Sequence, residues 1–377
     1  MSLSSEDSFR LNVLLNQRAE AIRIDESSMT VFALTEKGEA KVKLNPNCRD
    51  ERYLKLVRET VSSHVLGSPG GYPVYLRRWT RMGQARDESL GQLLMLGEPE
   101  AVVAVVHAAG LTNDIARRAW WAMPTSENAR RMLEREAVVH GGMGPVLAEF
   151  LYEYLPFETE PLAMVESVRL MLQPGVMSEE QRQALWSKAA RKNTYYVGFL
   201  AALPDELPEE VAAHPLYSDA EVELTRLQQP GNGYARQLKR VLAPSGQAFV
   251  KTALRVFQKP NNQDVVVALL RAVHDYFAPV HEEASGSDAL DNTDAIVANA
   301  RAACELMGSS SAEVKAILDS LPQLRAQLVA VMALSNVSEQ VVNPVFSRSD
   351  AIGTVMRRKL EPVFTPILEQ FAALHSS

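Results

Sequence analysis

Cys48 stands in Asn47-Cys48-Arg49, beside a cation and at the start of a segment with helical periodicity. A helix N-terminus and a neighbouring positive charge both favour the thiolate, the nucleophilic form of cysteine. Such a residue could serve as a sulfur carrier or an enzyme nucleophile, as thiolate or persulfide. The plainer reading is a small residue filling a helix start. His274, His281, Glu282 and Glu283 are metal-ligand types, but their spacing is not His-Glu-x-x-His. Pro279 also interrupts the helix that would align the two histidines, so a surface cluster without metal is expected. His140-Gly141-Gly142 is similar to an oxyanion-hole turn, yet no Gly-x-Ser-x-Gly elbow accompanies it, and a flexible helix connection is expected instead. No catalytic set is assembled, and no cofactor is implied.

A second kind of chemistry is electrostatic. The 40 residues between Glu223 and Asp264 contain no carboxylate and seven cations: Arg226, Arg236, Lys239, Arg240, Lys251, Arg255 and Lys259. The chain as a whole is acidic, at net −7, so this stretch is opposite in sign to its surroundings. Helical spacing places Arg236, Lys239 and Arg240 on one face, with Leu238, Val241 and Leu242 opposite. Lys251, Arg255 and Lys259 follow at i+4 in a next helix, with Phe249, Leu254 and Phe257 for the core. Pro244-Ser245-Gly246 joins the two, so the cationic faces are expected side by side. Phosphate or nucleic-acid binding would use such a face. The acidic balance and the lack of interleaved aromatics favour pairing with an acidic neighbour or another protein.

A third cluster is Tyr72-Pro73-Val74-Tyr75-Leu76-Arg77-Arg78-Trp79-Thr80-Arg81. Arginine and aromatic residues are enriched at protein–protein hot spots, which makes Arg77, Arg78, Trp79 and Arg81 contact candidates. The preceding Gly67–Gly71 loop lacks the Gly-Lys-Ser/Thr of a phosphate-binding loop. Trp120-Trp121 reads as core at a helix end, and Cys304, among alanines and a leucine, as core packing.

The elements that must position these residues are mostly helices. Residues 1–44 form a separate element: a short amphipathic segment (Phe9, Val13, Leu14) and three short runs, 21–24, 29–34 and 40–44. Turn residues separate these runs, and they read as an antiparallel β meander. From a helix capped near Asn47 onward the pattern is helical. The expected helices are 88–96, 99–108, 113–122, 127–134, 145–154, 161–172 and 179–201, with short Pro- and Gly-containing breaks between them. Such spacing makes antiparallel helical hairpins, stacked as in a solenoid or HEAT-like array or packed as a bundle. The acidic run 205–210 reads as an exposed connector, dividing a first helical region, 45–203, from a second, 204–377. In the second, helices are expected over 219–227, 234–242, 248–257, 263–276, 293–307, 312–318, 324–334 and from about 350.

No apolar stretch approaches the roughly 20 residues of a spanning helix. Acids stand near the start where a signal peptide needs cations, and two cysteines suit a reducing compartment. A cytoplasmic location is the expectation.

Three stretches taken together carry a resemblance: Leu44-Asn45-Pro46-Asn47-Cys48-Arg49-Asp50-Glu51, the run 66–86, and Arg117-Arg118-Ala119-Trp120-Trp121-Ala122-Met123-Pro124. They resemble the DsrS family, which accompanies the dissimilatory sulfite reductase system of sulfur-oxidising bacteria. The likeness covers the N-terminal two-thirds, to about residue 225. It implies a soluble cytoplasmic protein with an accessory or regulatory role, partnered by another protein of that pathway, and it supplies no catalytic residues.

Overall fold

The structure is a computed structural model that describes residues 3–71, 73, 87–229, 231–260, 262–280, 292–305, 311–348 and 351–375. The fold is mainly α with a small N-terminal antiparallel sheet. The chain divides into two compact units. The first runs to Pro156 and adds Pro174–Val176; the second takes Phe157–Gln173 and everything from Met177.

The first unit opens with α1 (Ser5–Leu15), capped by the Ser4 hydroxyl, which accepts from the Asp7 N–H at 3.1 Å. Strands β1 (Ala21–Asp25), β2 (Thr30–Thr35) and β3 (Gly38–Lys43) follow in the order β1-β2-β3, with Ile22 opposite Ala33 and Val31 opposite Val42. Alternation sends Val31 and Ala33 into the core with Ile22, Leu11, Leu14 and Leu15. The apolar face of α1 is only in part the expected one. Phe9 and Val13 are exposed; Leu14 is buried as expected, together with Leu11 and Leu15.

Helix α2 (Asp50–Leu66) starts three residues beyond Asn47, with Arg49 at the cap, and ends on Gly67 in the left-handed region at φ 67°. Two carboxylates, Asp50 and Glu51, fill its first turn, where the helix dipole favours negative charge. Tyr53, Leu54, Val57 and Val61 make its buried face. Asp7 is fully buried and ties this corner together: it accepts from the Tyr53 hydroxyl and from the Asn45 N–H at 2.8 Å.

Short helices complete the unit: α3 (Asp87–Leu94), α4 (Pro99–His107), α5 (Asn113–Ala122), α6 (Ser126–Leu133), α7 (Glu136–Val139) and α8 (Met143–Tyr154). Thr112 and Thr125 cap α5 and α6 with their side chains, and Pro99 opens α4. The turn at Gly141 is close-packed rather than open. Any Cβ there would overlap Asn113, whose Oδ1 accepts from the Met143 N–H at 2.9 Å.

The second unit contains α9 (Pro161–Met171), α10 (Glu179–Ala189), α11 (Asn193–Ala202), α12 (Tyr217–Gln228), α13 (Gly233–Leu242), α14 (Pro244–Gln258) and α15 (Gln263–Phe277). These are followed by α16 (Thr293–Glu305), α17 (Ala312–Ser320), α18 (Arg325–Ser335), α19 (Asn343–Phe346) and α20 (Gly353–Leu374). Helix α11 packs on α9, α14 and α15, while α18 packs on α15, α16 and α20.

Two expectations are corrected here. The single helix expected over 179–201 is a hairpin, folded so that Trp186 of α10 meets Tyr196 and Phe199 of α11 edge-on, at 4.8 and 4.9 Å between centroids. No proline or glycine marks that break, so periodicity alone runs through it. The segment Pro244-Ser245-Gly246 is no linker but the first turn of α14, with proline in the first turn. Gly246 permits this, because a Cβ would come within 2.5 Å of Val241.

Among the described residues no single helix is long and apolar enough to cross a membrane. The apolar pair Ala312–Ser320 and Pro322–Ser335 bends by 117°, and its Leu328, Val331 and Leu334 belong to the buried core.

Candidate functional site

The carboxylate-free stretch becomes α13, α14 and the ends around them. Leu238, Val241 and Leu242 are fully buried, and the cations of α13 lie on the opposite side, as spacing requires. What faces them is the acidic segment 203–216, which runs between α11 and α12 without regular secondary structure. Arg240 takes Asp205 with both arms of its fork, Nε to Oδ1 at 2.8 Å and Nη2 to Oδ2 at 2.7 Å. Arg255 takes Glu209 in the same way, at 2.8 Å for each arm. Lys251 adds its ammonium to Glu209 Oε1 at 2.8 Å. Arg226 pairs with Glu223 one turn back in its own helix, and Lys239 lies 3.8 Å from Glu221. Arg236 and Lys259 are exposed and carry no ion pair among the described residues.

The guanidiniums are supported from beneath. Arg240 lies over the Tyr276 ring at 3.9 Å and donates Nη1 to the Tyr276 carbonyl at 2.9 Å. Arg255 sits 6.0 Å above Tyr196. Burial pulls the Arg240 pKa down while Asp205 pushes it up, for a net rise, so the fork stays charged. Tyr276 is stacked on Phe249 at 3.8 Å; burial drives its hydroxyl far above the usual tyrosine range, against the opposing pull of Arg240. The segment itself is anchored by buried Leu207 and by His214, whose N–H donates to the Leu242 carbonyl at 2.9 Å. Burial lowers the His214 pKa, helped by His375 nearby.

In the first unit, Trp120 and Trp121 are not core. Both are half-exposed. Trp121 lies against Arg23 at 4.9 Å, donates Nε1 to Glu39 at 3.1 Å and offers its carbonyl to Arg23. Trp120 meets Phe150 edge-on at 4.8 Å, and Phe150 stacks on Tyr154 at 5.9 Å and 8°. With Val146 47% and Tyr154 39% exposed, α5 and α8 present a run of aromatic surface. The i+4 pair Phe150 and Tyr154 was its signal in the sequence.

Cys48 is half-buried and packs against the Leu11–Tyr53 core cluster, two residues ahead of α2. Cys304 is buried as expected, its Sγ 3.5 Å from Met332 Sδ. Burial pushes its thiol pKa up, Arg325 opposes this, and Glu305 adds to it. It lines a cavity of about 530 Å³ with Arg301, Arg325, Val329, Glu369 and Gln370. His274 is half-buried, with Nδ1 3.2 Å from the Val337 carbonyl. His281, Glu282 and Glu283 lie outside the described residues, as do Arg77, Arg78, Trp79 and Arg81. Among the described residues no group of three or more His, Cys, Asp or Glu is placed to hold a metal.

No protein-family profile, curated protein or solved structure matches the chain.

Proposed function

We propose that the protein is an accessory or regulatory protein of bacterial sulfur oxidation that acts in the cytoplasm by binding another protein. The DsrS-family resemblance supports the pathway. The aromatic face built by Trp120, Phe150 and Tyr154 beside exposed Val146 carries the mode of action. Aromatic rings held rigid by one another bind a partner at low entropic cost and are enriched at hot spots. Short stacked helices suit that role, because they offer a broad surface.

The test is a quantitative pull-down from cells oxidising sulfur, with wild-type bait and with Trp120→Ala/Tyr154→Ala bait. A sulfur-oxidation protein retained by the wild type and reduced at least about tenfold by the double variant is expected, as for loss of a hot spot of ~2 kcal/mol. Equal capture by both baits, or no specific capture by either, overturns the reading.

A further inference from the structure

The ion pairs of the second unit are not symmetric in their support. The cations project from two packed helices, on guanidiniums laid over buried aromatic rings. The acids project from a segment without regular structure, held by Leu207 and His214. Rigid forks on one side and a simple strap on the other describe a receptor and its occupant. The geometry of the occupant shows what the receptor accepts: two carboxylates, four residues apart in one chain, each taken by a two-armed guanidinium and one also by Lys251.

We propose that the Arg240–Lys251–Arg255 groove is a docking surface for an acidic segment of a partner protein, and that Asp205 and Glu209 of the strap occupy it until that segment displaces them. The strap also sets the sign of the face. While it is seated, exposed Glu206 and Glu210 repel an acidic partner; once it lifts, Arg240, Lys251 and Arg255 are left without their carboxylates and the groove is cationic. An acidic polypeptide fits better than a nucleic acid. Tyr196 and Tyr276 are buried beneath the guanidiniums and cannot stack bases, and a two-armed fork matches a planar carboxylate. The inference shares with the proposed function the premise of a protein partner but uses a different surface, so the two fail separately.

The experiment uses the full chain, wild type and Asp205→Asn/Glu209→Gln, with a fluorescein-labelled synthetic peptide copying residues 203–212, read by anisotropy at low salt. A tethered occupant at roughly millimolar effective concentration, against an intrinsic Kd of ~0.1 mM, suppresses binding about tenfold. The variant is therefore expected to bind the peptide about tenfold more tightly than wild type. Arg255→Gln added to the variant should abolish that gain with an unchanged helical circular-dichroism spectrum. Equal affinity for both proteins, or no binding by a variant with native helicity, overturns the proposal. So does a variant that binds a single-stranded DNA of about 20 nucleotides as tightly as the peptide.

Discussion

At the scale of single residues, the two cysteines stand in different surroundings: Cys48 is half-buried at the edge of a core, and Cys304 is buried with its pKa raised by desolvation. A thiolate-selective disulfide reagent is expected to modify Cys48 in the native protein and Cys304 only after unfolding. Fast native modification of Cys304 would contradict its placement. Tyr276 could not be recognised from its neighbours in sequence. Its ring supports Arg240, while its hydroxyl is buried without a hydrogen-bond partner among the described residues. An unpaired buried polar group costs about 1–3 kcal/mol, so Tyr276→Phe is expected to stabilise the protein by on the order of 1 kcal/mol in urea unfolding. Asp25 shows the opposite case, a half-buried group with many partners. Hydrogen bonds from the Ser28 and Ser27 side chains, together with their backbone N–H groups, hold its pKa at about 2, below the usual 3.8. Its stabilising contribution is therefore full above about 3.8 and fades as pH falls toward about 2. The difference in unfolding midpoint between wild type and Asp25→Asn should shrink across that window.

At the scale of elements, periodicity and caps located most helices, because a buried stripe and a capping side chain are local features. The three-stranded meander was legible for the same reason, from alternation and turn residues. Two boundaries were not local. The α10–α11 hairpin is closed by Trp186 reaching Tyr196 and Phe199 across the turn, a contact that no window of sequence displays. The α13–α14 corner depends on Gly246 letting one backbone approach Val241. A cap, in contrast, acts within one turn. Ser178 and Gln181 form a reciprocal capping box at the start of α10, with Ser178 Oγ accepting from the Gln181 N–H at 3.2 Å. Ser178→Ala is expected to lower stability by about 1 kcal/mol, measured by chemical denaturation, whereas Ser178→Asp should retain most of it. Gly246→Val should do far more damage, since the overlap is with backbone rather than with a movable side chain.

At the scale of the whole molecule, charge segregation was the most visible pattern in the sequence, and its meaning was the least legible. A block of seven cations between acidic regions fits an anion site and an internal seam equally well, because sequence separation carries no distance. The fold brings residues 205–210 back over helices that begin more than 20 residues later, so Arg240, Lys251 and Arg255 already hold its carboxylates, while Arg226 and Lys239 pair with Glu223 and Glu221 of α12. The acidic run, an exposed connector by composition, is tied to the helices on either side of Pro244. These ties are charge-assisted and partly exposed, so dissolved ions weaken them, whereas the apolar contacts inside α13 and α14 are strengthened or unchanged by salt. Hydrogen exchange should therefore respond unevenly. Raising sodium chloride from about 0.05 to about 1 M, where the screening length falls to roughly 3 Å, is expected to accelerate amide exchange in 203–213. The His214 amide, bonded to the Leu242 carbonyl, should lag behind its neighbours, and the amides of 236–257 should hold their rates. If segment and helices change together, or neither changes, then hydrophobic anchoring through Leu207 and His214 outweighs the ion pairs, and the strap is a fixed part of the core.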